Sequence, residues 1–235
     1  MNRHLLLRLI TLLFCSGCSY LPEPGPDQPE VVIRETRDYI EILPHNFAGS
    51  NTGFIFYPGG LVDPHAYSEL AAMFANSGTG HHVIITKMPA NLAVMDSKAA
   101  VKITEEFPGE SWVIGGHSLG GAMACSMLKK ESESFVGLIL MAAYPAGSID
   151  LSQWKGAVLS ITASNDEVLD WGKFEEAKTN LPVQVQFYEI AGGTHGGFGS
   201  YGEQEGDGEA EISRAAQHLL IIEQIQKFYL ENEFE

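Results

Sequence analysis

The chain of 235 residues is 45% hydrophobic and 19% charged, a globular balance that excludes a wholly disordered chain or a coiled coil. Fourteen basic residues against thirty acidic ones give a formal charge of −16, which repels polyphosphate and anionic lipid and argues against a nucleic-acid partner. Three cysteines in this length cannot make a disulfide framework.

The N-terminus reads MNRHLLLRLITLLFCSGCSY. Arg3, His4 and Arg8 make it basic, and the apolar run, interrupted by Arg8 and resumed over Leu9 to Phe14, falls short of the ~20 residues a membrane span needs. This is the form of a secretory signal peptide, predicted over residues 1–17. Cys15-Ser16-Gly17-Cys18 resembles a bacterial lipobox, in which small residues precede a cysteine that is acylated and becomes the mature N-terminus. Cys15 stands where that pattern usually has leucine. The resemblance implies lipidation at Cys18, with Pro22, Pro24, Pro26 and Pro29 marking residues 18–30 as a tether. The chain is then expected at the bacterial cell envelope, outer-membrane or periplasm-facing, held to the membrane through that lipid alone. The alternative is plain secretion after cleavage beyond Ser16. With Cys18 acylated, Cys125 is the only thiol left.

Residues 31–235 are expected to form one α/β domain. Val31 to Ile33 and Tyr39 to Leu43 predict early strands, and Phe54 to Tyr57 a short buried strand ending at Pro58-Gly59-Gly60. A helix follows over Tyr67 to Ala75 behind the start signal Asp63-Pro64. His82 to Thr86 is strand-like, Ala93 to Phe107 helical and Trp112 to Ile114 strand. Leu119 to Lys130 is helical, Phe135 to Ala143 and Ala157 to Thr162 are strands, and Trp171 to Thr179 is a helix. Val183 to Ile190 is the last strand and Ile212 to Leu230 the closing helix. Strands alternating with helices predict a mostly parallel sheet covered on both faces.

Gly116-His117-Ser118-Leu119-Gly120 fits G-x-S-x-G between a strand and a helix, a context that puts a serine on a tight turn with its hydroxyl exposed. A serine hydroxyl needs a base, and the base an orienting carboxylate. Asp166 stands just past the strand ending at Thr162, with Asp170 and Glu167 as runners-up. His195 follows the last strand among glycines, where backbone can fold closely around a substrate. His117 reads as structural, and His81 and His82, starting one strand, point to opposite faces. Oxyanion donors are expected from the backbone N–H of Leu119 and from the Pro58-Gly59-Gly60-Leu61 loop, Gly60 before Leu61. No His/Cys cluster has metal spacing, so no metal is expected. Cys125 reads as a buried apolar filler.

These residues carry a resemblance over about Thr52 to Leu230. YPGG at Tyr57 to Gly60, GGHSLGGAMA at Gly115 to Ala124, SND at Ser164 to Asp166 and GGTHGGFG at Gly192 to Gly199 resemble the α/β-hydrolase superfamily, in its small, lid-poor branch of dienelactone hydrolases and simple esterases. Dienelactone hydrolases proper use a cysteine where this chain has Ser118. The resemblance implies a serine hydrolase acting on small carboxylic esters or lactones through an acyl-enzyme, with catalytic Ser118, Asp166 and His195 and no cofactor. Acyl transfer or peptide hydrolysis would use the same residues, and a surface lipoprotein could keep the fold as a binding module. Glu203, Glu205, Asp207, Glu209 and Glu211 alternate with small residues and read as a solvated acidic loop, with a calcium site or a flap against anionic substrates as sharper readings.

Overall fold

The computed structural model describes residues 19–47, 49, 52–96 and 98–234. The predicted signal peptide and Cys18 lie outside them. Eight strands form one sheet: β1 (Val31–Glu35), β2 (Tyr39–Pro44), β3 (Gly53–Tyr57), β4 (Val83–Thr86), β5 (Trp112–His117), β6 (Gly137–Met141), β7 (Ala157–Ala163) and β8 (Val185–Ile190). Their order is β1-β2-β4-β3-β5-β6-β7-β8. From β4 to β8 all neighbours are parallel, while β1 and β2 add an antiparallel edge. Every residue of β3, β5 and β6 is buried, as expected of central parallel strands covered on both faces.

The helices α1 (Ser68–Ala75), α2 (Ala99–Glu106), α3 (Leu119–Lys130), α4 (Trp171–Ala177) and α5 (Arg214–Glu231) cover the sheet. Leu70 and Phe74 of α1 pack with Ile221, Ile225 and Phe228 of α5 in one apolar cluster. Ile103 of α2 and Leu128 of α3 pack with Trp112 and Leu138 in the other. Cys125 is fully buried there, and burial raises its thiol far above the usual range, consistent with an inert filler.

Two expectations are modified. The stretch Ala93 to Phe107 is not one helix: a 3-10 turn at Ala93–Met95 precedes α2, and Asp96 between them is non-helical (φ −142°, ψ 71°). A tertiary contact sets where α2 starts, because the N–H of Ala100 in its first turn donates to Tyr57 Oη at 2.9 Å. The second concerns residues 19–30, expected to be a tether. Tyr20 pairs in parallel with Val62, the Glu23 N–H donates to the Ser200 carbonyl at 2.8 Å, and the Glu23 carboxylate pairs with Arg214. This stretch lies on the domain at both points.

His81 and His82 do face opposite sides. His81 stacks on Phe74 (centroids 4.4 Å, 8° between planes), while His82 meets Phe107 and Trp112. Burial lowers His81 and, inside α5, His218 to about 4 each. A lowered histidine stays neutral in the fold while the unfolded chain, with its ordinary value near 6.5, takes up protons. Stability is therefore lost on acidification from about pH 6.5 towards pH 4, with about 2 kcal/mol lost per histidine by pH 5. Urea midpoints at pH 7 and pH 5 test this, and the loss should shrink in His81→Phe.

Candidate active site

Strand β5 delivers Ser118 between itself and α3 at φ 52°, ψ −123°. Those angles are strained for any residue with a Cβ, and neighbouring backbone holds them. The Ser118 N–H donates to the Met141 carbonyl at 2.9 Å. A Cβ on Gly120 would collide with the carbonyl oxygens of Tyr57 and Pro58, and one on Gly116 would lie 2.5 Å from the Tyr57 carbonyl oxygen. The glycines of the turn are thus required by packing of α3 against the end of β3.

Asp166 follows β7 and is 1% exposed. Its Oδ1 accepts the N–H groups of Val168 (2.9 Å) and Leu169 (2.7 Å). Its Oδ2 meets His195 Nδ1 at 2.7 Å. Of the runners-up, Asp170 borders the same cleft but caps α4 through the Lys173 N–H and pairs with the Lys173 ammonium, and Glu167 is exposed. His195 lies past β8 with its ring 4.4 Å from that of His117. Ser118, Leu119 and His195 line one open cleft of about 310 Å³, walled mainly by Ala122, Ala146, Val168 and Leu169.

His117 has a partner of its own. The Gly59 N–H donates to Tyr67 Oη at 3.0 Å, leaving the Tyr67 proton for His117 Nδ1 at 2.8 Å. Burial, then the repulsion that a proton on His117 would meet from the neighbouring His195 ring once that ring is protonated, hold His117 well below the ordinary histidine range, so it stays neutral beside that ring. The loop after β3 is thereby fixed to the elbow. The N–H of Leu61, the second-choice oxyanion donor, goes to the Asn91 carbonyl at 2.8 Å. Gly60 abuts Leu119, since a Cβ there would stand 2.9 Å from Leu119 Cδ2.

Two residues that sequence reasoning passed over hold the His195 loop. The acidic loop is more than a solvated surface: Asp207 accepts the His195 N–H on Oδ1 (3.1 Å) and the Gly196 N–H on Oδ2 (2.7 Å). Gln217 of α5, 1% exposed, accepts the Thr194 N–H (3.0 Å) and donates to the Thr194 carbonyl (2.9 Å). Gly193 and Gly197 make room for this clamp, because a Cβ on either would run into the Gln217 amide. Gln217 could have been found as a polar residue in register with buried Ile221 and Ile225 of α5. Nothing in the pattern of alternating acids marks Asp207. The calcium reading of that loop gains nothing, as no ligand cluster occurs among the described residues.

Asp207→Ala strands three backbone donors, the N–H groups of His195, Gly196 and Gly208. It is expected to cost about 2–4 kcal/mol of stability and about 10-fold or more in kcat through misplacement of the ring, with Asp207→Asn recovering part of both. Steady-state kinetics beside urea unfolding check it, and unchanged kcat in Asp207→Ala would reduce the contact to a loop staple.

Residues 53–219 match the Alpha/beta hydrolase family. Among solved structures, an alpha/beta hydrolase enzyme from a lagoon-sediment metagenome of Mar Chica, Morocco, superposes with TM-score 0.64 at 15% identity, over 86% of this chain and 99% of that one. Est1E from Butyrivibrio proteoclasticus gives 0.63 at 12% identity, over 88% and 100%. A thermostable esterase from Pseudomonas putida gives 0.54 at 15%, over 71% and 76%. At such identities the likeness is one of fold. Among curated proteins, none matches this chain in sequence.

Proposed function

Since the chain belongs to the alpha/beta hydrolase family, we propose that it is a serine hydrolase of small carboxylic esters or lactones. The observation that carries this reading is the contact of 2.7 Å between Asp166 Oδ2 and His195 Nδ1, on a cleft shared with a serine held at φ 52°. Asp166 fixes the proton on Nδ1 of His195 and leaves Nε2 as an acceptor. His195 takes the Ser118 proton as Oγ attacks the ester carbonyl, then returns it to the departing alkoxide. Water, activated by the same nitrogen, cleaves the acyl-enzyme and regenerates the serine. The oxyanion is held by the N–H groups of Leu119 and Gly60. Gly60 is favoured because the amides on either side of it are already engaged.

A small substrate is favoured by the chain between β6 and β7, residues 142–156, which contains no helix to serve as a lid. This supports the lid-poor, esterase-like branch of the family over enzymes that cover long acyl chains. No cofactor enters the scheme. The sequence of residues 1–18 supports export and acylation at Cys18.

Fluorophosphonate labelling of the purified protein followed by peptide mass spectrometry tests the reading. An adduct on Ser118 that disappears in His195→Ala is expected. Well-folded protein without any adduct would turn the argument to the non-catalytic binding module.

A further inference from the structure

The first described residue, Ser19, is held beside the loop that carries Gly60. Asn91 Nδ2 donates to Ser19 Oγ at 3.4 Å. The Tyr20 N–H donates to the Leu61 carbonyl at 2.8 Å, the Tyr20 carbonyl accepts the Asp63 N–H at 2.9 Å, and the Leu61 N–H goes to Asn91. The Tyr20 ring rests on that of Tyr201 at 5.3 Å. Leu61 follows β3 and Asn91 follows β4. Both loops leave the C-terminal ends of parallel strands, the edge of the sheet that also carries Ser118 after β5 and His195 after β8.

Cys18 is one peptide bond from Ser19, so the two Cα atoms are about 3.8 Å apart. A flexible tether over residues 18–30 would span about 20 Å on average and leave the domain free to turn. With Ser19 and Tyr20 pinned, that freedom is gone. We propose that a lipid on Cys18 holds this edge against the bilayer, so that the cleft receives esters carried by membrane amphiphiles, with the scissile bond at headgroup depth. The inference rests on the acylation of Cys18 put forward above.

Three apolar side chains follow the same geometry. Leu21 is 67% exposed, two residues from Ser19, and Val94 and Met95 are 51% and 62% exposed in the turn that follows Asn91. Each is suited to the boundary between headgroups and acyl chains, where buried apolar area adds to an anchor. The cleft of about 310 Å³, walled by small apolar side chains, suits a short acyl group on a membrane-held alcohol. The acidic stretch Glu203 to Glu211 belongs to the same edge through Asp207 and His195, which favours a neutral bilayer over an anionic one.

The full chain, produced in a lipidating bacterium and purified in detergent, is first examined by mass spectrometry of its N-terminal peptide. It is then reconstituted into phosphatidylcholine vesicles with brominated acyl chains. A bimane fluorophore is attached in Val94→Cys or Val183→Cys, Cys125 being buried. Val183 is fully exposed and precedes β8, at the opposite end of the strands. Quenching at position 94 is expected to exceed that at 183 by at least about twofold. Turnover of an umbelliferyl butanoate linked to a phosphatidylethanolamine headgroup is expected to exceed that of Cys18→Ala by about 100-fold, with free umbelliferyl butanoate hydrolysed equally by both. An unmodified Cys18 would remove the anchor and the proposal with it. A modified Cys18 with equal quenching at both positions would overturn the orientation alone, and quenching as expected without the gain on the vesicle ester would overturn the substrate class.

Discussion

Ser118→Ala is expected to lower ester turnover by at least about 10⁴-fold while leaving the fold intact. The hydroxyl is the only group lost, and the backbone at φ 52°, ψ −123° is kept by the Met141 carbonyl and by the packing of Gly116 and Gly120. Ser118→Gly should be equally inactive and more stable than Ser118→Ala. The strained angles resemble the first central position of a type II′ turn, which glycine adopts without penalty. Strain of this kind costs about 1–3 kcal/mol, of which the greater freedom of glycine in the unfolded chain offsets about 0.5–1 kcal/mol. A melting temperature a few degrees above that of Ser118→Ala would record the difference. Turnover retained in Ser118→Ala would place the nucleophile elsewhere, and an unstable Ser118→Gly would mean that the elbow carries no strain.

Asp166→Asn is the second large effect, expected at about 10⁴-fold in kcat/KM. The amide oxygen has to stay on the Val168 and Leu169 N–H groups that Oδ1 now accepts, which turns the amide NH2 towards His195 Nδ1. Two donors then face one another unless His195 moves its proton to Nε2, where it can no longer take the proton of Ser118. The fold keeps its contacts, so stability falls little. Asp166→Ala loses comparable activity but also leaves two amides unpaired, at about 2–4 kcal/mol. Kinetics and urea unfolding on both variants separate the roles. Full activity in Asp166→Asn would sink the assignment of Asp166 as the orienting group.

The elbow is legible in the sequence because its chemistry is local: glycines two positions either side of a serine, between an apolar run and a helix, specify a turn that few other residues can make. Sheet and helices are legible for a similar reason, since β3, β5 and β6 are continuous apolar runs. What escapes is what depends on partners distant in the chain. The start of α2 is set by a tyrosine hydroxyl 43 residues earlier, and the apolar spacing of Ala93 to Phe107 holds no trace of it. The seating of residues 19–23 rests mostly on backbone hydrogen bonds, which have no residue signature. Asp207 resembles its acidic neighbours in everything except where its loop folds back. Among the carboxylates near β7, Asp166, Glu167 and Asp170 are distinguished only by direction, which follows from the turn that buries Asp166 and exposes the other two.

The clamp of Gln217 on Thr194 has a consequence in time. The amide that holds both backbone groups of Thr194 belongs to α5, which follows every other residue of the candidate site in the chain. A nascent chain that has already formed the elbow and placed Asp166 still has a histidine loop without its register until residues beyond 214 emerge and dock. Docking of α5 is therefore expected to be the step that sets the register of the His195 loop, and a chain halted before residue 214 would lack the Gln217 contacts on Thr194.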